Sequence, residues 1–253
     1  MRKLDRSVAV KPRSWDRTAR SAVPDFAVFI AEATAFEALP LNGTVRRDGF
    51  PTYAPHALPK SKGKAYFKSV WGKHKEPIAR ISKWQCAYCE CSINAERVGQ
   101  VEHFKPKAIF PLSAYDWDNY LLACGGCNGP KSDKWPRGAA YVRPDDAAYD
   151  PALHFRFKGD GDVDSISANA AETVHDFELK RQLLIDDRKK FIELARAQIK
   201  NILETYALST VIGLRQAREA HLRFSDPAQC PYSTAVTQFV LNELQAAIPG
   251  FSV

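Results

Sequence analysis

Two C-x-x-C turns, Cys86-x-x-Cys89 and Cys124-x-x-Cys127, constrain this chain more than any other feature. Four thiolates presented this way can surround one Zn²⁺ as a tetrahedron with Zn–S bonds of about 2.3 Å, leaving no open position for substrate. A closed site of that kind is structural, and it requires the segment over 84–136 to return on itself. Six cysteines in 253 residues do not suggest a disulfide scaffold. Cys91 is an alternative to Cys89 as ligand, although the C-x-x-C geometry favours Cys89. Cys230 stands apart and reads as a small buried apolar side chain.

The second knuckle overlaps GGCNGPKS at 125–132, which imitates a phosphate-binding loop. In G-x-x-x-x-G-K-[ST] successive backbone N–H groups point at phosphate oxygens, and Pro130 stands where the second glycine belongs. Proline lacks that donor and restricts Gly129 before it. The stretch is therefore read as a cysteine knuckle, and any control by ATP must come from a partner. DGDVD at 160–164 fails as a calcium loop for a similar reason. Ser165 and Ala171 occupy the places where that loop needs glycine and glutamate.

The formal charge of +7 points to an anionic partner, nucleic acid before membrane surface. No apolar run approaches the roughly 18 residues of a membrane span. The start, MRKLDRSVAV, lacks the apolar stretch of a secretory signal, so a cytoplasmic location is expected.

Around the cysteine segment the chain divides into three parts. Residues 1–83 comprise a basic arm, expected to be irregular to about 25, a helix over 26–39 and a Pro- and Gly-rich loop over 40–60. A basic stretch with Tyr66, Phe67 and Trp71 at helical spacing follows. Residues 84–140 form the core. Residues 141–253 open with a hairpin turning at 159–161, then become helical from about 173, with a long amphipathic helix to about 206 and shorter ones over 209–223 and 233–247. These last helices read as scaffold or partner surface, and 209–253 is expected to be removable without loss of the zinc core. The fold class is α+β.

Between the knuckles lie VEHFKPKA and YDWDNYLLACGGCN. His103 is a candidate general base, because an imidazole accepts a proton near neutral pH. On a strand, its neighbour Glu102 would point to the opposite side, toward a hard cation. Taken singly, each of these residues is more often structural. Lys105, Lys107, Lys131 and Lys134 flank them as candidate phosphate contacts.

A carboxylate beside a histidine, then Asn119 before an apolar run, then Asn128 directly after the last cysteine: this order resembles the HNH, or ββα-metal, nucleases with a four-cysteine zinc site. The resemblance covers about 84–136. WQCAYCE, YDWDNYLLACGGCNGPKSDKWP, YDPALHFRF and TVHDFELKRQLLIDDRK extend it to the HNH subunits of Septu antiphage systems and Septu-containing retrons. It implies a zinc-stapled ββα-metal core and hydrolysis of phosphodiester bonds, in DNA first with RNA also open. It implies a catalytic Mg²⁺, or Mn²⁺, held by Glu102 and Asn128, with His103 as catalytic base and Asn119 orienting it. Glutamate stands where the family usually has aspartate. The resemblance also implies an ATPase partner. The rival reading is a non-catalytic, zinc-stabilised module that binds nucleic acid or protein. Such a module needs the cysteines and lysines but has no use for Glu102, His103 and Asn128 together.

Overall fold

The computed structural model describes residues 1–22, 26–38, 43–45, 51–53, 70–94, 98–136 and 140–253. In chain order its regular elements are α1 (Trp15–Ala22), α2 (Phe26–Glu37), β1 (Gly43–Val45), β2 (Pro51–Tyr53), α3 (Lys75–Ile81), β3 (Gly99–His103), β4 (Tyr120–Cys124) and α4 (Gly125–Lys131). Then follow β5 (Phe155–Phe157), β6 (Val163–Ser165), α5 (Ala168–Asp176), α6 (Gln182–Leu208), α7 (Thr210–Ser225) and α8 (Ser233–Ala247). Among the described residues the sheets are three two-stranded antiparallel pairs, β1–β2, β3–β4 and β5–β6. The class is mixed helix and sheet.

The centre of the molecule is the β3–β4 pair, with Gly99 opposite Cys124, Glu102 opposite Leu121 and His103 opposite Tyr120. All five residues of β4, Tyr-Leu-Leu-Ala-Cys, are buried, as expected of a strand covered on both faces. The first knuckle is pinned to this strand by the Ala87 amide, which donates to the Leu122 carbonyl at 2.8 Å. The chain leaves β4 directly into α4, so the stretch that imitates a phosphate loop is a knuckle opening a short helix.

The basic amino-terminal arm differs from expectation. Residues 15–22 are helical, and the Trp15 side chain is 1% exposed, its indole N–H donating to the Tyr115 carbonyl at 2.9 Å. Arg6 donates to the carbonyls of Asp118 and Tyr120 and pairs with Asp145. These hydrogen bonds and the burial of Leu4, Ala9 and Trp15 make the arm part of the core, where its sequence had suggested only charge. The loop over 40–60 holds the β1–β2 pair, and Tyr66 and Phe67 lie outside the described residues.

The carboxy-terminal helices follow the apolar spacing closely, with one exception. The expected run from about 173 to 206 breaks between α5 and α6. Phe177 and Leu179 turn into the core at 0% and 2% exposure, and Glu178 takes a left-handed φ of 48°. Beyond the break, α6 buries Leu184, Arg188, Ile192, Ala195, Ile199 and Ile202, a stripe that recurs every three or four residues. It packs with α7 and α8 around a second apolar core that includes Phe224, Val236, Phe239, Val240 and Leu244. Close approach at the α6–α7 corner requires Gly213, because a Cβ there would lie 2.4 Å from the Tyr206 Cα.

The carboxy-terminal helices also brace the first knuckle. Glu90, at a left-handed φ of 64° between the cysteines of that turn and Cys91, is 3% exposed. Its Oε2 accepts from the Ser233 hydroxyl at 3.1 Å and the Thr234 amide at 3.0 Å, at the start of α8. The Gln85 side chain donates to the Pro227 carbonyl at 2.8 Å. The 209–253 region thus touches the first knuckle directly, which bears on whether it can be removed. Truncation at 225 should take two donors from Glu90, about 1 kcal/mol for each hydrogen bond lost, and strip Val236, Phe239, Val240 and Leu244 from the second core. The expected outcome is an insoluble or early-melting protein with less than one zinc per chain. A soluble, zinc-loaded truncation with unchanged melting would detach these helices from the core.

Candidate active site and four-cysteine metal centre

The sulfurs of Cys86, Cys89, Cys124 and Cys127 lie within 4.8 Å of one another and all four residues are buried. Cys89 and Cys124 are 3.7 Å apart at Sγ. A tetrahedron with metal–sulfur bonds of about 2.3 Å has edges of about 3.8 Å, so the cluster has the dimensions of a zinc site. Cys91 is buried beside it and its carbonyl accepts from the Cys86 amide at 2.9 Å. The converging set contains Cys89 and not Cys91.

Arg181 was not foreseen. From the turn before α6 its guanidinium reaches Cys127 Sγ at 3.5 Å, Cys89 Sγ at 3.6 Å and Cys124 Sγ at 3.9 Å. Burial disfavours its charge, but the sulfurs of Cys127 and Cys89 outweigh that effect and hold it more firmly protonated. Four thiolates around a divalent ion carry excess negative charge, and a planar fork of N–H donors is suited to neutralise it without entering the coordination shell. No spacing rule links Arg181 to either knuckle, so nothing local in the sequence marks it.

Tyr88 lies inside the first knuckle and carries the cluster's geometry to the neighbouring strand. Its hydroxyl donates to Glu102 Oε2 at 2.7 Å. The other oxygen of Glu102 pairs with the Lys131 ammonium, which also donates to the His103 carbonyl at 2.6 Å. Both side chains of this pair are 1% exposed. Lys131, expected among the phosphate contacts, is therefore held inside the protein by a carboxylate.

The His103 imidazole is buried. Its Nε2 lies 3.1 Å from the Ala114 carbonyl, an acceptor that fixes the proton on Nε2 and leaves Nδ1 as the lone-pair nitrogen. Trp71 meets the ring edge to face at 4.5 Å, and Tyr120 flanks it at 5.1 Å. Burial and then the positive charge of Lys107 push its pKa down to about 3, so the ring is neutral near pH 7.

Asn119 ties the loop after His103 to the start of β4. Its oxygen accepts from the Lys105 amide at 2.7 Å, and its amide group donates to the carbonyls of Lys105 at 3.0 Å and Ser113 at 2.9 Å. Asn128 sits in α4 with helical backbone, and its amide group donates to Gln100 Oε1 at 2.6 Å. Its amide oxygen, the atom a hard cation would need, faces away from that bond.

Glu102, His103, Asn128 and Lys131 line one cavity of about 340 Å³, with Lys107 and Asp133 at its walls. Asn119 does not line it and acts from behind the loop. Lys105 is exposed and opens on a neighbouring cavity, while Lys134 lies beside a third, 3.9 Å from Asp176. Only two of the four lysines therefore converge with the histidine.

The chain is 37% identical over 79 residues to the Septu protein PtuB of Bacillus thuringiensis, a match that covers 30% of this chain and only 31% of that protein. It is 21% identical to the Septu protein PtuB of Bacillus mycoides strain KBAB4, across 67% of this chain and 74% of that one. No family model matches the chain, and no solved structure does. Among the described residues no helix is long and apolar enough to cross a membrane.

The Arg181 contact carries a direct test. Purified protein should contain one zinc per chain, and Arg181→Met should retain the fold while weakening zinc by about 10–100-fold, the usual effect of removing an outer-shell partner. Competition with a chelator measures this. Equal zinc retention by the two proteins would reduce Arg181 to a packing residue.

Proposed function

We propose that the chain is a metal-dependent HNH-type endonuclease that hydrolyses phosphodiester bonds, DNA foremost, as the effector of a Septu-like defence complex controlled by an ATPase subunit. The observation that carries this reading is the convergence of Glu102, His103 and Asn128 on one polar cavity. They reach it from a strand pair and the helix that follows, tied together by the four-cysteine centre. The name shared by the two relatives supports the defence setting. The helices of 141–253, already needed to brace the knuckle, retain exposed Leu208, Val211 and Leu222 as surface for a partner.

The donors fit a hard cation in kind: a carboxylate oxygen from Glu102 and an amide oxygen from Asn128, with room for retained waters. Mg²⁺ bound there, or Mn²⁺ in its place, supplies charge neutralisation at the phosphate and the leaving oxygen. Lys131 already compensates Glu102, so its ammonium would have to share that carboxylate with a cation or yield it. His103, oriented through Nε2, takes the proton of the attacking water on Nδ1; burial weakens it as a base in the free protein, and the negative charge of a phosphate beside it would offset that effect. Asn119 positions the loop that carries it, and Trp71 limits the ring's rotation. Lys107 faces the phosphate.

The closed Glu102–Lys131 pair is the one observation that favours the rival, a zinc-stabilised binding module in which Glu102 is only structural. The readings separate on chemistry. With the ATPase subunit present, the protein should degrade plasmid or RNA with Mg²⁺ or Mn²⁺ and stop with EDTA. His103→Ala should lose about 10²–10⁴ in rate while keeping its melting profile and its zinc. Near-normal cleavage by that variant would remove His103 from the mechanism, and binding without cleavage under every metal condition would establish the rival.

A further inference from the structure

A second cavity, of about 410 Å³, opens next to the candidate active site, and its composition is different. Phe104, Trp135, Tyr141, Tyr149 and His154 line it, five rings around a space within the range of small-molecule sites. Trp135 meets Phe104 edge to face at 5.7 Å and Tyr141 at 5.4 Å. Tyr149 and His154 form another wall, nearly parallel at 15°. The tyrosine hydroxyls are engaged inward, Tyr141 with Asp176 and Tyr149 with the Met1 carbonyl. Both tyrosines are buried and back the wall, while the half-buried Trp135 and His154 present ring surface to the cavity.

The polar groups at the cavity are few. Lys105 is exposed beside it, and Asp146 and Asn169 complete its lining. Arg143 also borders it, but its guanidinium is bound to Asp145 and lies 5.0 Å over the Phe104 ring, so it acts as a fixed part of the wall. Flat aromatic walls, a cation at the rim and a carboxylate with an amide at the edge suit one kind of ligand: a planar heterocycle that bears hydrogen-bonding groups and is joined to a phosphate.

Chain continuity places this cavity. Phe104 and Lys105 directly follow His103, and the Asn119 side chain clamps the Lys105 backbone. Neighbouring Cα atoms are about 3.8 Å apart, so a strand that reached His103 would pass the rim at Lys105 within a nucleotide or so. We propose that this cavity receives one unpaired base of a nucleic-acid strand, stacked on the aromatic walls with its phosphate at Lys105. The proposal rests on the reading that the chain acts on nucleic acid, and it adds a preference for unpaired substrate next to the cut.

The test is binding, with cleavage switched off. Full-length His103→Ala protein is titrated with a single-stranded oligonucleotide, DNA or RNA, that contains 2-aminopurine, and with the same strand carrying abasic sites. Stacking should quench the fluorescence, and the base-bearing strand should bind about tenfold tighter than the abasic one, the effect of one stacked base. Trp135→Ala should abolish that difference without weakening the abasic complex. Ala148→Trp, at an exposed rim position, should do the same by filling the space, and it keeps the test valid if loss of Trp135 unfolds the protein. Equal affinity for base-bearing and abasic strands would overturn the pocket while leaving the nuclease intact. Binding of a free nucleoside monophosphate as tightly as the strand would also overturn it, in favour of a nucleotide site. Failure to bind any nucleic acid would sink both readings together.

Discussion

Everything in this molecule that has chemical interest hangs from the convergence of four sulfurs. Cys86 and Cys89 belong to a turn, while Cys124 closes β4 and Cys127 lies in α4, so their approach to within 4.8 Å holds three pieces of chain in register. The β3–β4 pair has five residues to a strand, and an isolated two-stranded hairpin is marginal in water. A structural zinc contributes on the order of 10 kcal/mol, enough to hold such a pair with its covering turn and helix. Arg181 and Glu90 then fasten the knuckles to the carboxy-terminal helices. Among the described residues there are two apolar cores, and they also meet away from the cysteines, at Phe191 and where Gln238 of α8 bonds the backbone of Phe155 and Phe157.

The same turns that supply sulfurs also supply the residues around Glu102. Tyr88 is the residue before Cys89, and Asn128 is the residue after Cys127. Lys131 ends the helix that Cys124 begins. A knuckle has little freedom once its sulfurs are fixed, so a metal held by the four cysteines would set the Tyr88 hydroxyl and the face of α4. Loss of zinc should therefore disorganise the candidate site even though no sulfur lines its cavity.

Much of this could be read from the sequence, and the parts that could not share a physical reason. The knuckles, the hairpin at 155–165 and the last two helices are written in spacing, which is local. Asn119, expected to orient His103, bonds the backbone of Lys105 and Ser113, and its role toward the histidine stands as a proposal. What escaped were pairings between distant positions. The arm looked irregular because its partners, Asp118, Tyr120 and Asp145, lie far along the chain. Arg181 carries no local signal of its own, and Lys131 read as a phosphate contact. A charge pattern records that a lysine is present, but only the fold decides whether water or a carboxylate surrounds it.

Lys131 and Glu102 show where the energetic argument leads. Taking both charges out of water costs several kcal/mol per ion, and a well-packed apolar pair would often be as stable. Stability alone is thus a poor account of an ion pair 1% exposed on both sides. The pair sits on the wall that His103 and Asn128 share, and the ammonium also grips the His103 carbonyl. Its effect is to hold the Glu102 carboxylate in one direction and the His103 backbone in one position on the wall of that cavity. An arrangement with that effect suits a site whose charge must be ready before a ligand arrives, because preorganised charge needs no rearrangement at the moment of reaction.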